Sequence, residues 1–599
     1  MADRSGRLTH SGHLTAMLDS AQQFKISFMI GVVGHRDLVA DEIPQIRVAV
    51  RRVLQRLRDD NPDVPLRLLC SMAAGADLLV AEVAAEIGIS IIALLPYARR
   101  LCRDDLQSER DRSSFDRLCD SSEVVELALP DSSKADDGEM AGEQREGRLQ
   151  RAGSLIARYS GVMIAIWNGV DTDHRAGTAR AVEFRRRGVM PTDELLVAPR
   201  DVLLSPHDDD LNFEIRCSRS SQPNSNGVVI RGFTGTDSHG GEELPQRLRT
   251  TFERLAAFNR DVEAFSDKIA RQGRRLSQPS PTPVPQTLQY LDRLFSAADW
   301  MGSYYRRCFT RALKARYGLW AVMAFLLITF KKESTGKLAI FAIIGVLAVF
   351  LFGTLLAMWA HRRSWHRKYL DYRALAEALR VDFFWEVAGV RKEFDGEFAH
   401  ESFLQKQDVE LQWIRNAMRA VSLQLAIRPS GDFAKGFPFV YAAWVGDDDL
   451  VNGTGQMLYY RQRLQTLKRK LHNSERIDRA LLFGGLVLAL AFALDVALRS
   501  RSVYLLPEYL RGWMLWALAL LPVYAAIFEI YLNEKADRAL IRQYRYMYSL
   551  FSFAAGELRA AATNERKLEI LRSLGHACLA EHAQWILAHR DKRIQGMRW

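Results

Sequence analysis

A chain of 599 residues, with 82 Lys and Arg against 71 Asp and Glu for a formal net charge of +11, is too long for one hydrophobic core. Its 48% apolar content is ordinary for a globular protein, but the four long apolar runs all lie after Arg316, so a soluble half precedes a membrane half. Much of the positive excess flanks those runs, where it marks the cytoplasmic face and favours anionic headgroups, so it gives no reason to expect a nucleic-acid partner. The six cysteines (Cys70, Cys102, Cys119, Cys217, Cys308, Cys578) show no paired spacing, which argues against a disulfide or zinc framework.

In chain order, residues 1–26 form a polar segment with no apolar core of a signal peptide, and a cytoplasmic N-terminus is expected. Short apolar runs then alternate with helical periodicity. Predicted strands are Ser27–Val33, Arg67–Cys70, Ile89–Leu95, Val124–Ala128, Val162–Trp167 and Leu195–Ala198, with Ile43, Ile46, Val50, Leu54 and Leu57 on one helical face between the first two. This alternation predicts an α/β, doubly wound parallel sheet over residues 27–235. The stretches Asp131–Glu146 and Ser205–Gly241 have loop composition, a helical linker is expected over residues 236–300, and Ser280–Pro285 reads as a stiff spacer.

Ligands of such sheets bind outside the carboxyl ends of the strands. The loops at those ends are rich in glycine and small residues. The first carries Gly31, Gly34, His35 and Arg36; the second Ser71, Gly75, Ala76 and Asp77; the third Pro96. The fifth strand ends in Trp167, Asn168 and Gly169, followed by Gly177 and Thr178 at a helix start. Glycine permits close approach of backbone N–H groups and helix N-termini carry partial positive charge, so the pattern suits a phosphate-bearing ligand. Plainer roles stand beside this one: Gly34 and Gly75 as turn formers, Asp77 and Thr178 as helix caps, Arg36 as the partner of Asp37 or of another nearby carboxylate.

The predicted spans are Tyr317–Phe330, Leu338–Ala360, Ala480–Leu498 and Trp513–Leu532, near the roughly 20 residues a helix needs to cross a bilayer, the first being short. Basic flanks (Arg306, Arg307, Arg311, Lys314 and Arg316; Arg362, Arg363, Arg367 and Lys368; Lys468, Arg469, Lys470, Arg476 and Arg479) outnumber those of the loops between spans, which places both termini inside. Tyr372-Arg373 recurs as Tyr544-Arg545, and Gln412-Trp413-Ile414 as Gln584-Trp585-Ile586, both at an offset of 172. Tyr304-Tyr305-Arg306 recurs as Tyr459-Tyr460-Arg461 ahead of each hairpin. Two copies of one hairpin unit, 301–425 and 426–599, are therefore expected, with helical tails at Tyr369–Val387 and Tyr544–Leu558 read as stalks. His576, Cys578 and His582 lack a fourth ligand for zinc, so no metal is expected. Asp495 and Glu529 lie near opposite ends of their spans, and Asp495 is a pore or packing candidate.

The runs Ile30–Leu38, Ser71–Asp77, Leu94–Pro96, Trp167–Gly169 and Gly177–Ala179 resemble the SLOG superfamily, the Rossmann-like group that includes the LOG phosphoribohydrolases and DprA/Smf proteins. The resemblance covers roughly Phe28–Phe233, with the glycine loops its most specific part. Phe258-Asn259-Arg260-Asp261 and the duplicated hairpins resemble bacterial proteins in which such a domain is joined to SLATT-type transmembrane effector regions, associated with nucleotide-signalled defence against phage. The resemblance implies a nucleotide or cyclic-nucleotide-type ligand, a bacterial inner-membrane location and a homo-oligomeric effector. The family's enzymes carry a Pro-Gly-Gly-x-Gly-Thr-x-Glu-Glu loop with a catalytic glutamate. This chain has Gly177-Thr178-Ala179-Arg180-Ala181 there, with Glu183 one turn further as the substitute, so binding without turnover and without a cofactor is expected. The alternative is a membrane-anchored hydrolase of nucleotide N-glycosidic bonds.

Overall fold

The structure, a computed structural model, describes residues 24–127, 142–170, 177–187, 211–221, 227–235, 238–278, 285–332, 336–393, 411–427, 431–447, 449, 453–499, 507–535 and 537–590. The strands are β1 (Phe28–Gly34), β2 (Leu66–Cys70), β3 (Ser90–Leu95), β4 (Glu123–Glu126), β5 (Val162–Trp167), β6 (Asn212–Arg216), β7 (Val229–Gly235) and β8 (Ser238–His239). Interleaved with them are α1 (Ile43–Asp59), α2 (Ala76–Glu86), α3 (Arg99–Asp104), α4 (Glu109–Ser121), α5 (Gly142–Tyr159) and α6 (Thr178–Arg187). Helices alone follow: α7 (Gln246–Gln272), α8 (Gln286–Lys332), α9 (Lys337–Arg362), α10 (Trp365–Ala388), α11 (Val390–Glu393), α12 (Gln412–Ile427), α13 (Phe433–Val440), α14 (Gly455–Arg499), α15 (Glu508–Lys535), α16 (Asp537–Ala560) and α17 (Asn564–Arg590).

The chain forms two compact units. The first comprises residues 1–300, 374–438 and 564–583; the second comprises 301–373, 439–563 and 584–599. Four of the five boundaries fall inside helices, in α8, α10, α13 and α17, and the fifth lies between α16 and α17.

In the first unit the strands form one sheet in the order β4-β3-β2-β1-β5-β6-β7-β8. The pairs from β4 through β6 are parallel and the last two are antiparallel. Parallel strands buried on both faces need near-continuous apolar sequence. Val162-Met-Ile-Ala-Ile-Trp167 meets that need and is buried at every position. Met29, Val33, Leu69, Met163, Ala165 and Trp167 share one apolar cluster with α5, α6 and Leu423 of α12. Phe28 instead stacks on Phe252 of α7 at 4.5 Å.

Two expectations need correction. Ser205–Gly241 is not a loop over its whole length, because its described part holds β6, β7 and β8. In Asn212-Phe-Glu-Ile-Arg216 the polar residues Asn212 and Glu214 are buried between neighbouring strands rather than solvated, so composition misleads. Residues 142–146, read as loop, begin α5. Residues 246–272, expected to be helical, form α7, whose Asn259 accepts from the Ile26 N–H at 2.9 Å and donates to the carbonyls of Ile26 and Asp63. The tail Tyr369–Val387, read as a stalk with packing faces, is helical as expected, and α10 is buried on nearly every side, Asp371, Asp382 and Glu386 included. Leu195–Ala198, Ala128 and most of Ser280–Pro285 lie outside the described residues.

Helix α12 follows the first pair of apolar helices in sequence yet belongs to the sheet-bearing unit. Its Trp413 is buried against Phe258 of α7, ring centroids 5.9 Å apart. A Cβ on Gly161, at the start of β5, would strike the Phe28 ring and the Asn416 side chain, so glycine permits the approach of α12. The C-terminus of α5 is capped by Arg185, which donates to the carbonyls of Ala157, Ser160 and Gly161. A cation there complements the helix dipole and satisfies orphan carbonyls.

The second unit contains four helices long and apolar enough to cross a membrane: α8, α9 with its continuation, α14, and α15 with its continuation. This is a membrane protein. Across the two hairpins Phe325 meets Trp516 at 4.7 Å, Tyr317 meets Tyr531 at 5.5 Å, and Arg316 and the Tyr317 hydroxyl both bond Glu534. Asp495 of α14 is fully buried, 3.5 Å from Arg499 Nε and 3.7 Å from Arg511 Nε of α15.

The internal repeat has a structural counterpart. Tyr305 meets Tyr372 edge-on at 5.8 Å and 65°, and the matching pair Tyr460 and Tyr544 meets at 5.5 Å and 61°. Tyr304 with Tyr305 and Tyr459 with Tyr460 also repeat, at 5.2 and 5.3 Å. Equivalent residues make equivalent contacts in both copies. The partners are 67 residues apart in the first copy and 84 in the second, so the extra 17 lie within the second hairpin.

Candidate functional site

Strand β1 pairs with β2 on one side and β5 on the other, and the strand order departs in opposite directions from this pair. Loops leaving β1 and β5 therefore diverge, which opens a crevice at their carboxyl ends. The residues found there are His35 and Arg36 from β1 and Asn168 and Gly169 from β5.

Gly34 closes β1 where a Cβ would strike Ala76 and come within 2.8 Å of the Ile166 carbonyl. His35 N–H donates to that carbonyl at 3.0 Å, and its own carbonyl accepts from Ala76 N–H at 3.0 Å. The imidazole is buried; Nε2 lies 2.9 Å from Asn168 N and 3.1 Å from Asn168 Oδ1. A neutral ring cannot accept at Nε2 from the first and donate from it to the second. Burial, aided by Arg219, lowers the His35 pKa against the opposing pull of Asn168 and Asp37. The ring is therefore neutral at pH 7, with Nε2 accepting from the Asn168 N–H and the proton on Nδ1.

The Ser71–Asp77 loop braces this floor. Gly75 has φ +77, and a Cβ there would lie 2.5 to 2.6 Å from the Arg36 and His35 carbonyls. Met72 also adopts positive φ. The Asp77 carboxylate accepts from the Ser71 hydroxyl and from backbone groups of Ala73 and Ser71. Burial raises its pKa to about 6 against those bonds and Arg36. Asp77 thus holds its own loop, and the start of α2 is partly filled by the His35 carbonyl.

Not every expected residue comes to the crevice. Gly31 lies inside β1, where a Cβ would collide with Ser160 and Ile156 of α5, so its role is packing. Pro96 is buried beyond β3, which β2 separates from β1. Thr178 starts α6, and the Gly177 carbonyl accepts from Arg180 and Ala181 N–H. Glu183 pairs with Arg180 at 3.1 Å. Arg36 is exposed and makes no ion pair among the described residues; Asp37 pairs with Arg219 at 3.0 Å and accepts from the Ser221 hydroxyl at 2.8 Å.

Sequence reasoning missed Arg216. It ends β6, in register with Trp167, and its guanidinium lies 4.4 Å from the Trp167 ring centroid. A Cβ on Gly169, whose φ is +82, would fall on that guanidinium. Arg216 donates to buried Glu214 at 3.1 Å, and Glu214 also pairs with Arg186. The usable signal was Phe213 and Ile215 alternating with Glu214 and Arg216, the pattern of a strand beside a core.

Among the described residues no group of three metal-ligating side chains converges, and His582 Nδ1 lies 3.1 Å from the Cys578 carbonyl. Comparison with protein-family models, curated proteins and solved structures gave no match.

Proposed function

We propose that the sheet-bearing unit is a Rossmann-like, SLOG-type sensor of a nucleotide or nucleotide-derived second messenger, and that the four apolar helices are its membrane effector. The observation that carries the reading is the crevice beside β1 and β5, floored by Gly34, His35, Asn168 and Gly169 and edged by Arg36 and Arg216. Glycines and backbone donors with adjacent guanidinium groups suit phosphate. Binding shifts an equilibrium only through differential affinity for resting and active states. Residue bias around the apolar helices supports both termini inside a bacterial inner membrane. Four spans in one chain with few charged residues do not enclose a wide aqueous pore, so the active form is a homo-oligomer acting in antiviral defence.

The test uses the full chain, because the sensor unit draws on three separate segments. The protein in detergent is titrated with nucleoside phosphates and cyclic dinucleotides, and then reconstituted in dye-loaded liposomes. Binding that Arg36→Glu weakens, and leakage only with the bound nucleotide, support the reading; absence of binding to any of them ends it. Binding without leakage reduces the membrane part to an anchor.

Hydrolysis of an N-glycosidic bond is the competing reading. It requires a carboxylate at the ribose or base, and Glu183 is engaged by Arg180. Released base from nucleoside monophosphates, lost in Glu183→Gln, would favour the enzyme.

A further inference from the structure

We propose that Arg216 is the anion-recognising side chain of this crevice, held by Glu214 and Trp167 until a ligand phosphate takes it over; this rests on the nucleotide reading above. The argument begins with position. Arg216 is the last residue of β6, at the carboxyl edge where the Trp167–Gly169 turn leaves β5, and Cys217 N–H closes the turn by donating to the Trp167 carbonyl at 3.1 Å.

Glycine at 169 is what gives the guanidinium its place. Its Nη1, Cζ and Nε all crowd the point a Cβ would take, so any other residue would displace it. Two buried donors of this stacked pair, Arg216 Nε and Trp167 Nε1, have no acceptor among the described residues. Unpaired buried donors favour a ligand that brings acceptor oxygens.

The charges make the exchange feasible. Glu214 is fully buried and holds both Arg186 and Arg216. When Arg216 turns to a phosphate, Arg186 still neutralises Glu214, so no buried carboxylate is left alone. Arg231 adds a third cation in the electrostatic surroundings of Arg216. Among these described residues three guanidinium groups stand against one carboxylate, a surplus that a multiply charged phosphate matches, and the planar fork binds phosphate in two-point fashion.

The experiment measures, on the full chain in detergent, the affinity of nucleosides, their 5′-monophosphates and triphosphates, cyclic dinucleotides and inorganic phosphate. In wild type the phosphate-bearing members bind more tightly than the nucleosides. Arg216→Gln should weaken them at least tenfold and leave nucleoside affinity unchanged, with Arg216→Lys between. Glu214→Gln, which frees Arg216, should tighten them. An unchanged preference for phosphate in both Arg216 variants overturns the proposal and leaves the nucleotide site standing. No binding of any nucleotide to wild type overturns that site itself. Inorganic phosphate competing as well as the nucleotides, in an Arg216-dependent way, supports the role of Arg216 and removes the base from the reading.

Discussion

Asp77 gives the sharpest residue-scale prediction. Its folded pKa of about 6 stands above the ordinary 3.8 because burial outweighs the Ser71 and backbone bonds. A raised pKa means that the folded state prefers the protonated group. The associated stability is present in full below pH 3.8 and is lost as pH rises through about 6. The difference of about two units amounts to no more than roughly 3 kcal/mol. Asp77→Asn removes this dependence. Its melting temperature relative to wild type should climb between pH 4 and pH 7, and a constant difference would refute the assignment. Gly75→Ala should go the other way, destabilising by at least about 1–3 kcal/mol, since it combines positive φ with a clash on two carbonyls. Chemical denaturation at pH 7 measures it.

At the scale of elements, Arg185 and α12 deserve mutation first. Arg185→Leu strips three buried carbonyl acceptors of their donor at the end of α5. A loss of about 2–4 kcal/mol is expected, more than one neutral hydrogen bond supplies. Trp413→Ala should cost about 3–5 kcal/mol through the space it leaves beside Phe258. Normal melting of that variant would mean α12 is dispensable to the sheet unit. The first five strands and the apolar helices were legible in sequence because their signals are local: unbroken apolar runs and small-residue loops. The role of α12 was not, since Trp413 lies 155 residues from Phe258 and no periodicity reports a contact at that separation. The site was half legible for the same reason. Gly34, His35, Asn168 and Gly169 announce themselves at strand ends, whereas Arg216 becomes part of the crevice only once β6 pairs with β5.

For the whole molecule, the contact between hairpins is the test of whether the four apolar helices act together. Arg316, Tyr317 and Glu534 join α8 to α15. Removing one charge strands the other in low-dielectric surroundings, so Arg316→Gln and Glu534→Gln should each destabilise more than the double variant does. Additive losses, measured by thermal unfolding in detergent, would mean that the pair is not coupled. The repeated tyrosine contacts argue that both hairpins derive from one packing solution, with the second lengthened by 17 residues.

The threading of the sheet unit through three stretches of chain has a consequence for biosynthesis. A ribosome delivers β1 to β8 and α7 long before Trp413, and residues 564–583 only after the last apolar helix. The nascent sheet is therefore without its final partners, with part of its apolar surface open to chaperones, until both hairpins have been made. Trp385, which donates to the Leu571 carbonyl at 3.1 Å, can complete that bond only after the last apolar helix has been made. A chain truncated between the hairpins is left with an unfinished sheet unit, so premature termination produces a substrate for proteolysis.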